Sequence, residues 1–388
     1  MRLLTGLEAL MEKDRLLAEL GASIGPKGVR RALDDPHSRR PPRPCGLTVH
    51  PGRGCPNACL YCYVGDLLGT GPRGPEPTRL SGPEMAYALA ANPYFVPGRM
   101  GTFLAMGAIC DPFFPSLAPR TLDIMRAVAS YLGNPVQFST KMSIRPELAE
   151  KIPRDLPISP LITIVTLERA GELEPNAPSP WERLEAMRTL RKAGFRPMLF
   201  LRPLIPGLVE RELDDLLSEA RAAGAVGVVV GSLRVSRRIL ARLAKLGLDR
   251  PIMARLREPP GDDLVVVPCP DLKERALQVA REKGLLAFRA ACCANAFCAG
   301  VPCADLCWLR GFCVHCPNRC LDKLPDVAEE DVAEVLSAVF GLRPTYVSVE
   351  GLKMVIGIKR SPRARRALGR ARRALEVATR RAIVFKWS

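Results

Sequence analysis

From Gly46 onward the chain alternates short apolar runs with longer stretches whose apolar residues recur at helical spacing. Short runs bounded by Gly and Pro read as buried strands, and the 3.6-residue pattern reads as amphipathic helix. Strands are predicted at Gly46–His50, Thr102–Ile109, Val136–Ser139, Leu161–Thr166, Met198–Leu201 and Val226–Val230. Helices are predicted between them, over Pro83–Ala91, Pro119–Leu132, Pro146–Ile152, Pro180–Ala193, Glu210–Ala223 and Ser236–Lys245. Several of these open at or near Pro, which suits the first helical turn because its missing N–H has no partner there anyway. Six strand–helix alternations imply a parallel sheet with right-handed crossovers. The expected fold is α/β, a partial (β/α)6 barrel of the TIM type. Such barrels carry their chemistry at the C-terminal ends of the strands.

The flanks divide the rest of the chain. Residues 1–45 read as a helical extension that ends in a basic, Pro-rich link, Arg39-Arg-Pro-Pro-Arg-Pro44, where Pro blocks helix continuation. Residues 46–270 hold the barrel. One more strand–helix unit, Leu264–Val267 and Leu272–Lys283, leads into a cysteine-dense stretch, giving a small Cys-rich domain at 271–325. A basic C-terminal extension, 326–388, closes the chain.

Composition adjusts this picture in two ways. The 388 residues are 47% hydrophobic, yet no apolar run is long enough to span a bilayer. Met1 to Leu20 mixes acids and bases among its apolar residues and reads as an amphipathic helix rather than a signal peptide. With no export signal, fourteen cysteines point to metal or cluster ligation rather than disulfides. The expected compartment is a reducing, oxygen-poor cytoplasm, with no membrane partner. The net charge of +17 is local: from Gly341 to Ser388 there are thirteen Lys or Arg against two Glu. A block of this kind fits a polyanion such as RNA or DNA, or a solvated face of an arginine-rich protein.

The densest chemistry follows the first predicted strand. In the run H-P-G-R-G-C-P-N-A-C-L-Y-C-Y, Cys55, Cys59 and Cys62 are spaced C-x3-C-x2-C. A structural zinc site wants a fourth Cys or His at short spacing, and a fully ligated ferredoxin cluster wants a fourth Cys. His50 is the nearest spare ligand, and it precedes the loop. Three thiolates would hold three irons of a four-iron cluster and leave the fourth open.

This loop resembles that of the radical S-adenosylmethionine (SAM) superfamily, and Gly46 to about Gly207 resembles its spore photoproduct lyase-like branch. Cys110-Asp-Pro-Phe-Phe-Pro115 is similar to that branch's D-P-[FY]-x-P, and Phe138-Ser-Thr-Lys141 to its F-S-T-K. Thr163-Ile-Val-Thr-Leu-Glu168 is similar to S-I-T-T-L-D, Leu173-Glu-Pro-Asn-Ala-Pro-Ser-Pro180 to L-E-P-x-A-P-S-P, and Leu204-Ile-Pro-Gly207 to I-I-P-G. The resemblance implies a [4Fe-4S] cluster with one open iron, SAM chelated to it, and an electron donor of ferredoxin or flavodoxin type. It implies a 5′-deoxyadenosyl radical that modifies or repairs a macromolecule. Nucleic acid is favoured from the basic tail, with a protein or peptide side chain as the alternative. A nucleic-acid-binding Fe–S or zinc protein without radical chemistry is the reading from a different class.

The same resemblance gives Lys141 as a partner of the SAM carboxylate. Thr163 is a candidate for the SAM amino acid or ribose, and Tyr61 for packing beside cluster or adenine. Asp111 faces either the cofactor side or a turn. One departure stands out. Spore photoproduct lyase carries a hydrogen-donor cysteine in C-T-S-D, whereas the matching segment here is Ala108-Ile-Cys-Asp111. The thiol is displaced by two residues, which in a strand keeps the face but moves the atom ~6–7 Å. Cys110 is therefore a candidate donor to a different radical, or a buried small hydrophobe.

A second departure is the segment holding Cys292, Cys293, Cys298, Cys303, Cys307, Cys313, Cys316 and Cys320. Cys292, Cys298, Cys303, Cys307, Cys313, Cys316 and Cys320 are the candidate ligands of one or two auxiliary Fe–S clusters, or of zinc, with His315 as a further ligand. Adjacent Cys292 and Cys293 do not suit one ion together, and Cys269 stands apart. In the tail, Ser361 to Trp387 reads as a helix followed by a short strand. An Ala/Leu stripe marks the docked side of that helix. Arg363, Arg366, Arg370, Arg373, Arg380 and Arg381 lie largely on the other.

Overall fold

The computed structural model describes residues 5–42, 46–69, 74–310 and 316–388. Its centre is a seven-stranded sheet in which every neighbouring pair is parallel. The strands are β1 (Leu47–Val49), β2 (Leu104–Met106), β3 (Val136–Thr140), β4 (Ile158–Thr163), β5 (Met198–Leu204), β6 (Gly227–Ser232) and β7 (Leu286–Phe288), and they lie side by side in chain order. Strands feeding neighbours through helices give the open barrel that the alternating pattern predicts.

Two helices lead the chain, α1 (Gly6–Met11) and α2 (Lys13–Asp34), and a third, α3 (Val64–Leu68), follows the three-cysteine loop. The crossover helices are α4 (Gly82–Ala91), α5 (Ala118–Ala127), α6 (Pro180–Lys192), α7 (Val209–Ala222), α8 (Arg237–Ala244) and α9 (Pro270–Glu282). Capping boxes at Ser81/Glu84 and Ser179/Glu182 start α4 and α6, each with Pro in the first turn. Outward residues of the strands, among them Met106, Phe138, Leu201 and Val230, pack with α4 to α7 and α9 in one large core.

The opposite face is filled differently. Helix α10 (Ala291–Ala299) packs its Cys292, Cys293, Ala294 and Ala296 against Phe103, Leu161, Met198 and Val229. These four belong to or border β2, β4, β5 and β6, one register step from the outward set, so they face the inside of the barrel. The cysteine-dense segment thus begins as a helix that plugs the barrel.

Two predicted strands are corrected. Leu264–Val267 does not join the main sheet: Val265 and Val266 pair antiparallel with Val235 and Arg234 in a separate two-stranded ribbon. The last strand of the barrel is instead β7, too short a run to stand out. The fourth strand sits three residues earlier than predicted. The buried carboxylate of Glu212 on α7 accepts from the Thr166 hydroxyl (2.6 Å) and the Leu167 (2.6 Å) and Glu168 (3.2 Å) N–H groups. That capture draws the apolar Ile164 and Val165 off the sheet.

The C-terminal unit is an α/β layer. It comprises α11 (Glu329–Phe340), an antiparallel hairpin of β8 (Pro344–Glu350) and β9 (Lys353–Ile358), then α12 (Pro362–Thr379) and β10 (Ala382–Trp387) parallel to β9. Its core takes in Leu7 and Leu10 of α1. Contact between α1 and α12 is close: a Cβ on Gly6 would lie 2.5 Å from the Ala378 backbone. Arg380 and Arg381 depart from the predicted outward face. Arg380 is fully buried, donating to Pro302 O (2.9 Å) and Gly101 O (3.3 Å) with its guanidinium 5.4 Å from the Phe103 ring centroid. Arg381 donates to Pro325 O (2.9 Å) and Gly351 O (3.0 Å). Both follow the helix end, where backbone carbonyls lie within reach of their guanidiniums.

Candidate active site

The loop after β1 is held from three sides. Leu60 N–H donates to Leu173 O (2.9 Å), and the Asn176 side chain donates to Pro56 O (2.8 Å). Arg242 on α8 donates to Leu60 O (2.9 Å) and Cys62 O (2.8 Å) and pairs with Asp66 on α3 (2.9 Å). Ala58, between the first two cysteines, has φ of 52°. A left-handed non-Gly residue is costly and persists where its surroundings impose it.

So fixed, the loop brings Cys55, Cys59 and Cys62 to one cavity of about 300 Å³ above the C-terminal ends of the strands. Tyr61, Lys141, Thr163, Cys110 and Asp111 line the same cavity. Every residue assigned by sequence to cluster or SAM is therefore gathered in one place. Burial pushes the Cys55 thiol up to about 11 and Cys59 to about 12, so metal binding here must displace thiol protons. Asn57, in the middle of the loop, is buried with its side-chain oxygen unpartnered among the described residues.

Beneath the loop lies a charge centre that the sequence did not disclose. Glu174 accepts from the Tyr61 hydroxyl and pairs with Arg183, and both charged side chains are wholly buried. Lys141 Nζ stands 3.8 Å from the Glu174 carboxylate and 5.4 Å from the Tyr61 ring centroid. Burial works against the Lys141 ammonium, but Cys59 and Glu174 outweigh it and raise the affinity for its proton. Arg183 also donates to Thr163 O (3.1 Å) and Pro178 O (2.8 Å). Glu174 belongs to the Leu173–Pro180 motif, so the signal was present. Arg183 gave none, standing in the polar run W-E-R-L-E of α6.

Asp111 is buried. It lines the cavity while accepting from Thr140 Oγ1 (2.6 Å), Lys141 N–H (2.8 Å) and Phe113 N–H (3.1 Å). Cys110 is buried, with its thiol pushed up to about 12 by burial.

The second cysteine group forms around α10. The Cys303 thiol neighbours those of Cys292, Cys293 and Cys307, and the Cys316 thiol those of Cys293 and Cys320. These neighbours pull the Cys303 thiol well below its ordinary value. Asn318 donates to the Cys320 sulfur at 3.0 Å. Cys298 stands apart on another side of the helix, its sulfur 4.0 Å from Arg196 O. Cys313 and His315 lie outside the described residues. Among the described residues, no three Cys, His, Asp or Glu are set as ligands of a single metal ion. Cys269 donates to the Ser232 hydroxyl (3.3 Å) and belongs to neither group.

Residues 49–220 match the Radical SAM superfamily. The matched stretch runs from the end of β1 into α7 and includes the three-cysteine loop. Uncharacterised proteins of Mycobacterium tuberculosis (strain ATCC 25618 / H37Rv) and Mycobacterium bovis are each 27% identical to it over 206 residues. The match covers 50% of this chain and 60% of theirs. Among solved structures, a spore photoproduct lyase mutant with bound AdoMet and dinucleoside spore photoproduct superposes with a TM-score of 0.49 at 19% identity. It covers 61% of this chain and 72% of its own. SuiB of Streptococcus suis bound to S-adenosylmethionine superposes with a TM-score of 0.34 at 15% identity, over 56% of this chain and 47% of its own. No helix among the described residues is long and apolar enough to cross a membrane.

Proposed function

We propose that this protein is a radical SAM enzyme acting on nucleic acid. The observation that carries the chemistry is the placement of three thiols from one loop on the wall of a cavity at the C-terminal edge of a parallel sheet. The donor set fits a four-iron cluster: three soft ligands from the loop leave one iron for the cofactor. When bound, the reduced cluster supplies the electron that splits SAM into methionine and a 5′-deoxyadenosyl radical.

The chain's own residues do the rest. Lys141, steadied by Glu174 and the Tyr61 ring, offers an ammonium to the SAM carboxylate. The Thr163 hydroxyl is placed for the amino-acid or ribose end, and Tyr61 closes the wall beside the cluster. The Cys110 thiol lines the cavity as a hydrogen donor to a substrate radical. The thiol group of Cys292, Cys293, Cys303, Cys307, Cys316 and Cys320 is one site rather than two, and we assign it a single auxiliary Fe–S cluster. A ferredoxin- or flavodoxin-type protein is the electron donor. Five ordered motifs following β2 to β5 support a kinship with the spore photoproduct lyase-like branch.

The substrate reading rests on α12. Arg363, Arg365, Arg366, Arg370, Arg372 and Arg373 are all exposed, and among the described residues only Arg373 of these meets a carboxylate, Glu376 at 3.8 Å. Guanidinium groups in such a row suit phosphates.

The first test is direct. Anaerobically reconstituted protein reduced with dithionite should form 5′-deoxyadenosine from SAM, and the Cys55→Ala/Cys59→Ala/Cys62→Ala variant should form none. Wild-type yield from the triple variant would remove the assignment.

A further inference from the structure

Opposite the thiol wall, the cavity mouth is built from other chemistry. Arg202 at the end of β5 and Arg234 just past β6 line it, both exposed, with the half-buried rings of Phe200 and Tyr63 beside them. The Arg202 guanidinium lies 6.0 Å from the Phe200 ring centroid. Tyr63 is pinned by its hydroxyl, which donates to Ala108 O at 3.2 Å. Neither arginine pairs with a carboxylate among the described residues. Acids near the cavity are committed elsewhere, Asp66 to Arg242 and Asp111 to Thr140 and the Lys141 N–H.

The placement of Arg202 is imposed by the neighbouring strand. A Cβ on Gly231 of β6 would stand 2.6 Å from Arg202 Cδ and 2.7 Å from Cγ. The Gly231 backbone is not left-handed, so its conformation does not call for glycine. What the missing side chain provides is the space in which the Arg202 stem lies flat across the sheet, carrying its guanidinium to the mouth. Two unpaired guanidiniums beside two aromatic rings match a phosphate backbone with a base against a ring face.

We propose that Arg202 and Arg234 each hold one of the two phosphodiesters flanking the reacting nucleotide of a single strand or an extruded base, and that the base lies against Phe200 and Tyr63. This rests on the nucleic-acid reading above and adds where, and by which groups, the strand meets the cavity.

The test uses anaerobic full-length holoprotein with SAM and fluorescein-labelled (dT)12, followed by anisotropy over a salt series. Arg202→Gln/Arg234→Gln leaves α12 untouched. It should bind about tenfold or more weakly at fixed salt, because two charged donors to phosphate are removed. The slope of log affinity against log salt should shrink by about 1.4, at roughly 0.7 per single-strand phosphate. Gly231→Ala keeps both charges but displaces the Arg202 stem, and should shrink the slope by about half as much. SAM affinity should hold in all three proteins. Wild-type-like binding by the double variant overturns this proposal alone. So does a fall in SAM affinity, which would give these arginines to the cofactor carboxylate. Weakened binding of labelled poly-glutamate, with (dT)12 binding unchanged, overturns it as well. Failure of the wild type to bind (dT)12 even at the lowest salt removes the nucleic-acid reading and this proposal together.

Discussion

Glu174 has the most consequential environment of any single residue in the site. Its carboxylate is fully buried and serves Tyr61, Arg183 and Lys141 at once. Removing one partner of a buried pair leaves the other charged and unsolvated, at a cost of about 3–5 kcal/mol. Glu174→Gln is therefore expected to lower the unfolding free energy by about 3 kcal/mol. Glu174→Gln/Arg183→Leu should recover part of that, because no bare guanidinium remains. Urea denaturation of the two variants checks this, and equal losses would mean that the pair is not what the fold depends on. The contrast with the cysteines shows what a sequence can disclose at this scale. Cys55, Cys59 and Cys62 were legible because ligand chemistry fixes their spacing within one loop. Lys141 and Thr163 were legible through motifs at strand ends. Glu174 and Arg183 meet across the fold, from a Pro-rich loop and from a helix with a polar surface pattern, and no local spacing encodes that meeting.

Elements were legible where one face is wet and obscure where both are dry. The amphipathic helices α4, α6, α7 and α9 fall within a few residues of their predicted bounds, since periodicity marks one buried face. Strand β4 is buried along its whole length, so alternation gave no end-point and Glu212 decides where it stops. Helix α10 was hidden for another reason: A-C-C-A-N-A-F-C-A reads as ligand sequence, while the structure uses its small residues to fill the barrel. That double use leads to a prediction about metal. The thiols of Cys293 and Cys303 are hubs of the second cysteine group, and Cys298 points away from it. In the Cys55/Cys59/Cys62→Ala background, iron and sulfide should persist after anaerobic reconstitution. Adding Cys293→Ala or Cys303→Ala should abolish them, and adding Cys298→Ala should not. Zinc without iron in the triple variant would make this segment a zinc scaffold instead.

At the scale of the whole molecule, the two ends of the chain share one core. Leu7 and Leu10 of α1 pack with α11, β9 and α12, while Arg380 ties the end of α12 to the barrel through Gly101 and Phe103 and to the cysteine segment through Pro302. The basic tail is thus part of the fold rather than an appendage. Cutting the chain after Gly341 would bare that core and strip the partners of α1, so loss of nucleic-acid binding by such a fragment would report unfolding. Substitution on the exposed face of α12 separates charge from structure. Arg365, Arg366, Arg370 and Arg372 lie outside the buried Ala and Leu stripe, and replacing all four by Gln preserves helix propensity within a few tenths of a kcal/mol each. The variant should unfold at nearly the wild-type denaturant concentration and form 5′-deoxyadenosine at the wild-type rate without substrate, since none of the four lines the cavity. Its affinity for single-stranded oligonucleotides should fall, and the salt slope should shrink by about 0.7 for each phosphate no longer neutralised. Unchanged affinity and slope across the salt series would take α12 out of substrate binding. The case for a polyanion would then rest on the cavity mouth alone.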